Sequence, residues 1–362
     1  MRKFLILVLV LFPVLLVQGQ QRLLSIMDQQ DLTLDQQVDS VIVEFGLDVK
    51  EQELSRLLGM LGRLGGKTRC VVEMCPYNRE KNLCGTARMY TTEALAATLG
   101  YVVLIPDNLG YGKTSHLPIP YQMSENSARV SADLRLAAEE YFEQTLKRKL
   151  PSKTILYGYS LGAPAALALA YLYTSHPEYG ARVKTLCMGS GCYDPLLAFE
   201  QTLESGHINY MIYPSFVRSA NAWMDACINV ANVFRDRVLE DFDRIASGLE
   251  NARKLVEEYG SDVRAYLHPD FYTPEGNPDI GRLKTALSAL TIPHEEKKPL
   301  PSYVKVVIRH SVTDDIVPVA CSDRLYRQIS QGFRPVRYFR EKSGTHYETA
   351  VRSFRDLAFL LL

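Results

Sequence analysis

Several things are scarce or missing in this 362-residue chain, and each absence narrows what it can be. Neither sign of charge is in excess, with 41 Lys+Arg against 41 Asp+Glu. A neutral chain has no basic field to draw in nucleic acid or another polyanion. Histidines and cysteines do not cluster at metal-ligand spacings, so nothing points to a zinc site. Past residue 17 no apolar run approaches the ~20 residues that a spanning helix needs. No internal repeat or low-complexity segment is evident, which argues against solenoids and arrays. Tryptophan occurs once, at Trp223, while Tyr numbers 21. Such aromatics suit a core or a pocket and identify no ligand. Hydrophobic content of 47% with 23% charged residues is that of a chain with a real core.

The one long apolar run lies at the start. Arg2 and Lys3 precede Phe4 to Val17, then Gly19 and the polar Gln20 and Gln21. This order reads as a secretory signal peptide over residues 1–19, an exported protein, and no stable membrane span once the signal is removed. An uncleaved anchor is the alternative. The seven cysteines are an odd number, so at least one thiol lacks an intrachain partner. Cys75 with Cys84 and Cys187 with Cys192 are the closest pairs in sequence, and either could bridge in an oxidising compartment.

Residues 20–67 read as an N-terminal extension with edge elements: a strand near Val41-Ile42-Val43 and a helix over 51–64. From about residue 68 strands alternate with helices. Strands are expected at 69–74, 101–106, 183–188, 303–309 and 336–340. Helices are expected at 90–99, 127–150, after residue 162, at 322–331 and from Thr345 onward. Such alternation implies a mostly parallel sheet with helices on both faces. It stops between 195 and 301, where a mostly helical insertion is expected above the sheet's C-terminal edge. The coarse architecture is therefore α/β, with one domain over 68–362 interrupted by that insertion.

The strongest local signal is Lys153-Thr154-Ile155-Leu156-Tyr157-Gly158-Tyr159-Ser160-Leu161-Gly162, followed by an Ala-rich helix. A Gly-x-Ser-x-Gly between strand and helix places a serine in a sharp, strained turn with its Oγ lifted clear. Glycines on either side let strand and helix approach closely. Such a serine needs a base, and the base an orienting carboxylate. Both follow in chain order. Asp314 sits after a strand in His310-Ser311-Val312-Thr313-Asp314-Asp315-Ile316-Val317-Pro318, with Asp315 the alternative acid. His346 follows the last strand in Gly344-Thr345-His346. His310 is expected to pack behind the acid loop. An oxyanion needs two backbone N–H donors. One falls to Leu161, and the other to the loop after strand 69–74, where Pro76 has no N–H and Tyr77 is the nearest donor.

With these residues placed in order, the chain resembles the α/β-hydrolase superfamily. Leu104-Ile105-Pro106-Asp107-Asn108-Leu109-Gly110-Tyr111-Gly112 is similar to its upstream Asp-x-x-Gly-x-Gly loop. The resemblance is closest to exported bacterial and fungal lipases and esterases with a helical lid, and covers roughly residues 68–362. It implies that 195–301 is the lid, with Phe199, Tyr213, Trp223 and Met224 able to line an acyl pocket or to pack the lid's own core. Cys75-Pro76 departs from the His-Gly usual at the oxyanion loop.

The expected activity is that of a serine hydrolase cleaving a small-molecule or lipid carboxylic ester through an acyl-enzyme. Such chemistry requires no metal or organic cofactor. A peptidase or acyltransferase on the same three residues, and a non-catalytic binding protein of the same fold, are the alternatives. No pattern in the sequence sets an oligomeric state.

Overall fold

The computed structural model describes residues 4–10, 25–32, 70–75 and 101–361, apart from 145, 295–298 and 332–334. The expected elements at 41–43, 51–64 and 90–99, together with Tyr77, lie outside the described residues. Near the N-terminus β1 (Phe4–Val10) pairs antiparallel with β2 (Ser25–Leu32) in a separate two-stranded sheet.

The main sheet has six strands: β3 (Val71–Cys75), β4 (Val102–Leu104), β5 (Lys153–Tyr159), β6 (Arg182–Gly189), β7 (Lys305–Ser311) and β8 (Val336–Glu341). Their order across the sheet is β4-β3-β5-β6-β7-β8, and every neighbouring pair is parallel. The chain steps outward from β3 to β4, then returns past β3 to β5. Ligands in such sheets bind at the carboxyl ends of the strands beside this reversal. The serine turn follows β5 at that point.

The central strands are buried on both faces, which is why they read as nearly continuous apolar runs. Leu156, Leu186, Met188, Val306 and Ile308 pack on one side. They meet α2 (Gly162–Ser175), which lies against α1 (Ser124–Gln144), and α9 (Val319–Ile329). The alternate residues Ile155, Tyr157, Cys187 and Val307 face Leu357 and Leu361 of α10 (His346–Leu361). This period of two fixes the two-faced core.

Between β6 and β7 the chain builds the expected helical insertion. It holds α3 (Pro195–Ser205), α4 (Tyr213–Trp223), α5 (Asp236–Glu240), α6 (Phe242–Ala246), α7 (Ala252–Tyr259) and α8 (Pro278–Ala289). Asn251 and Asn277 cap α7 and α8 by accepting from first-turn N–H groups. A second core, around Phe199, Met211, Phe216, Phe234 and Ile245, joins these helices to Tyr111, Ile119 and Tyr121 of the loop after β4.

Boundaries moved where turn chemistry overrode periodicity. The helix expected to run to residue 150 ends at Gln144, and Lys147 then adopts a left-handed φ of 52°. Helix α9 starts at Val319, just after Pro318, rather than at residue 322. A Cys187–Cys192 bridge is not formed. Cys187 faces the α10 side and Cys192 the α2 and α9 side, and both are free thiols. Cys75 is a free, buried thiol, and Cys84 lies outside the described residues.

Candidate active site

Ser160 takes a left-handed φ of 50°, a strained conformation for a non-glycine residue. Its N–H donates to Gly189 O at 2.9 Å, and its carbonyl accepts from Ala163 N at 3.1 Å. The turn tolerates no side chain at Gly158, where a Cβ would lie 2.0 Å from Gly162 O and 2.8 Å from Ala163 Cα. This close approach is the physical content of the Gly-x-Ser-x-Gly pattern.

The structure brings Ser160, His346 and Asp314 into one hydrogen-bonded chain. Ser160 Oγ is 2.9 Å from His346 Nε2. His346 Nδ1 is 3.0 and 2.9 Å from the two Asp314 oxygens. A carboxylate only accepts, so Nδ1 carries the proton and Nε2 accepts from the serine hydroxyl. Asp314 Oδ1 also accepts from Ile316 N at 3.0 Å and Val317 N at 2.9 Å. Burial would raise the Asp314 pKa, but hydrogen bonds and charge from His310 and His346 outweigh it and hold the carboxyl well below the usual range. His310 is fully buried behind the acid loop. Its Nε2 lies 2.9 Å from Val317 O and 3.4 Å from Asp314 Oδ2, and its Nδ1 is 2.7 Å from Ser322 Oγ.

Asp315, the alternative acid, is placed differently. Its Oδ1 accepts from the His346 backbone N–H at 2.8 Å, and its Oδ2 pairs with Arg253 of α7 at 2.9 Å. Its carbonyl accepts from Asn209 Nδ2 at 3.0 Å. Arg253 also lies over the Tyr347 ring, 5.1 Å from its centroid.

Two further positioning residues were not anticipated. Thr313 Oγ1 accepts from Gly344 N at 2.9 Å and donates to Gly344 O at 3.2 Å, stitching the acid loop to the histidine loop. Tyr159 donates its hydroxyl to His346 O. Their only sequence signal is adjacency to a motif residue.

Leu161 stands at the N-cap of α2, where backbone N–H groups have no partner within the helix. Its N–H and the helix N-terminus suit a developing negative charge. Phe199 and Tyr213, candidates for a pocket lining, pack into that second core instead, with ring centroids 4.9 Å apart. Trp223 Nε1 donates to Pro118 O at 3.2 Å, and Met224 packs partly buried against the same core.

The alpha/beta hydrolase family profile matches residues 83–351. The chain belongs to the alpha/beta hydrolase family. Its fold is similar to that of solved structures of low sequence identity. A ligand-bound form of the rice cell wall degrading esterase LipA from Xanthomonas oryzae shares 19% identity with a TM-score of 0.67, over 83% of this chain and 80% of that one. A hydrolase of unestablished role from Legionella pneumophila shares 17% at a TM-score of 0.65, over 82% and 80% of the two chains. Candida antarctica lipase A in its closed state shares 14% at 0.53, over 81% and 72%. A search of curated protein sequences finds no match.

Proposed function

We propose that this alpha/beta hydrolase is an exported serine hydrolase that cleaves carboxylic esters through an acyl-enzyme. The observation that carries the reading is the continuous chain from Asp314 through His346 to a strained, elbow-mounted Ser160. Ser160 Oγ attacks the acyl carbonyl as His346 Nε2 takes its proton. The imidazolium that forms is stabilised by Asp314, then gives that proton to the leaving alkoxide. Water, activated by the same histidine, attacks the acyl-enzyme and releases the acid. The oxyanion accepts from Leu161 N–H, with Tyr77 proposed as the second donor. The insertion over 195–301 is proposed as a lid. The esterase and lipase among the similar folds support ester chemistry, and the N-terminal basic–apolar–small pattern supports export.

The test is turnover of p-nitrophenyl esters from acetyl to palmitoyl by the mature protein, beside Ser160→Ala. A drop of about 10⁴-fold or more in kcat is expected on removing the nucleophile. No turnover of any ester, with no labelling of Ser160 by a fluorophosphonate, would reject the reading.

A further inference from the structure

Net neutrality conceals a local excess of one sign. The parallel strands all begin at one edge of the sheet, opposite the serine turn, and the segments that open β5, β6 and β7 there are basic. The connection from α1 into β5 carries Lys147-Arg148-Lys149 and then Lys153, β6 opens with Arg182 and Lys184, and β7 opens with Lys305. Residues 146–154, 180–186 and 301–307 contain no Asp or Glu. Strand register gathers these cations: Lys153 lies beside Arg182, and Lys305 beside Thr185, on adjacent strands. All are exposed except Lys184, which is half-buried.

Acids on the flanking elements do not cancel this charge. Glu139 pairs with Arg135 at 3.4 Å and Glu178 with His176 at 2.8 Å, while Glu143 near the end of α1 offsets one cation. Like charges side by side on adjacent strands repel, so the edge holds a positive potential that a negative surface relieves. Tyr303 sits among the cations at 50% exposure, with the Arg182 guanidinium 5.2 Å and the Lys184 ammonium 5.5 Å from its ring centroid. An exposed tyrosine has an apolar ring and a polar tip, which suits the headgroup layer of a membrane.

We infer that this amino-terminal edge of the sheet docks on an anionic lipid bilayer, with the candidate active site turned towards water. Clusters of about four to eight Lys and Arg recognise anionic headgroups. The choice of lipid phosphate over nucleic acid rests on the export proposed above, which takes the mature chain away from nucleic acid and to a membrane surface. Ser160, Asp314 and His346 follow the opposite ends of β5, β7 and β8. At ~3.3 Å per residue, β5 sets the serine turn roughly 20 Å from Lys153. A docked molecule therefore takes its ester from solution rather than from the bilayer that holds it.

The test is co-sedimentation of the mature protein with vesicles of phosphatidylcholine alone and of phosphatidylcholine with about one-third phosphatidylglycerol. Binding is expected to the second and not to the first, and should fall steeply as salt is added. The triple variants Arg148→Gln/Lys149→Gln/Lys153→Gln and Arg182→Gln/Lys184→Gln/Lys305→Gln should each weaken it by about tenfold or more. Thermal unfolding checks their folding, and either one decides if the other does not fold. Arg218→Gln/Arg237→Gln/Lys284→Gln removes the same charge from the insertion and should leave binding unchanged. No binding to the anionic vesicles, equal binding to both kinds, or an equal loss in the insertion variant would overturn the inference. Binding to a DNA duplex with none to vesicles would overturn it too. Sedimentation needs no turnover, so this result is independent of the ester reading. Turnover of p-nitrophenyl acetate by the vesicle-bound protein should match that of the free protein, and its loss on docking would overturn the orientation.

Discussion

Asp315 holds the His346 backbone N–H with one carboxylate oxygen, at 2.8 Å, and Arg253 of the helical insertion with the other, at 2.9 Å. One side chain thereby joins the loop that carries the proposed base to the element proposed as a lid. Asp315→Ala removes both contacts. It is expected to lower kcat by about tenfold to a hundredfold, because a misplaced imidazole weakens proton transfer. Asp315→Asn keeps an acceptor for the His346 N–H and should cost less. Arg253 and Asp315 are 42% and 26% exposed, so their ion pair is screened. A double-mutant cycle between Asp315→Asn and Arg253→Met should give a coupling of no more than about 1 kcal/mol, shrinking as salt is added. A Km effect with unchanged kcat in Asp315→Ala would contradict a positioning role.

Gly158 and Gly281 offer a paired test of the serine turn. A Cβ at Gly158 would stand 2.0 Å from a backbone oxygen in a rigid turn, whereas one at Gly281 of α8 would meet nothing within 4 Å. Gly158→Ala is expected to destabilise by more than about 3 kcal/mol, through forced backbone movement and loss of the Ser160 geometry. Gly281→Ala should stabilise by roughly 0.5–1 kcal/mol, because alanine is the better helix former. Chemical denaturation of both variants gives the comparison, and equal effects would refute the steric account.

The serine turn, the acid loop and the histidine loop were legible because each combines a local pattern with a position at a strand end. Gly158 and Gly162 flank Ser160 within five residues, and the chain order of Ser160, Asp314 and His346 needs no knowledge of distances. What links them was hidden. Tyr159 and His346 are 187 positions apart, and Thr313 and Gly344 are 31 apart. Contacts at that range follow from sheet register, which no window of sequence carries. The same limit explains the cysteine pairing. Cys187 and Cys192 are neighbours in sequence, but one lies in a strand facing α10 and the other beyond its end, among the residues of the opposite face. Phe199 and Tyr213 illustrate a second limit. An aromatic on an amphipathic helix fits a pocket wall or a core equally well, and packing decides in favour of the core.

A buried ion pair anchors the far end of the sheet. Arg135 of α1 donates to Glu73 of β3 at 2.8 Å, with the side chains 0% and 2% exposed. Thr154 and Tyr173 also donate to that carboxylate. Removing one partner strands the other charge away from water. Arg135→Met is expected to cost about 3–5 kcal/mol. Glu73→Gln with Arg135→Met removes both charges and should recover part of that loss. Urea denaturation of the single and double variants decides this, and an additive double variant would show that the charges act independently.

The acid side of the pH profile follows from Asp314. Its folded-state pKa is depressed below the unfolded value of about 3.9, so its contribution to stability is fully present above that value. That contribution is lost as pH falls below about 4 towards the folded pKa, because the unfolded chain then binds the proton first. The slope of stability against pH near neutrality should therefore owe nothing to this group, and Asp314→Asn should flatten the loss of stability below about pH 4. Catalysis gives an independent reading of the same shift. With Asp314 ionised throughout the accessible range, log kcat/KM against pH should show no break from this carboxylate near its ordinary value of about 3.9. Protonation of Asp314 near pH 4, read from its carboxyl carbon by NMR, would contradict a carboxyl held below its usual range by its hydrogen bonds to His310 and His346.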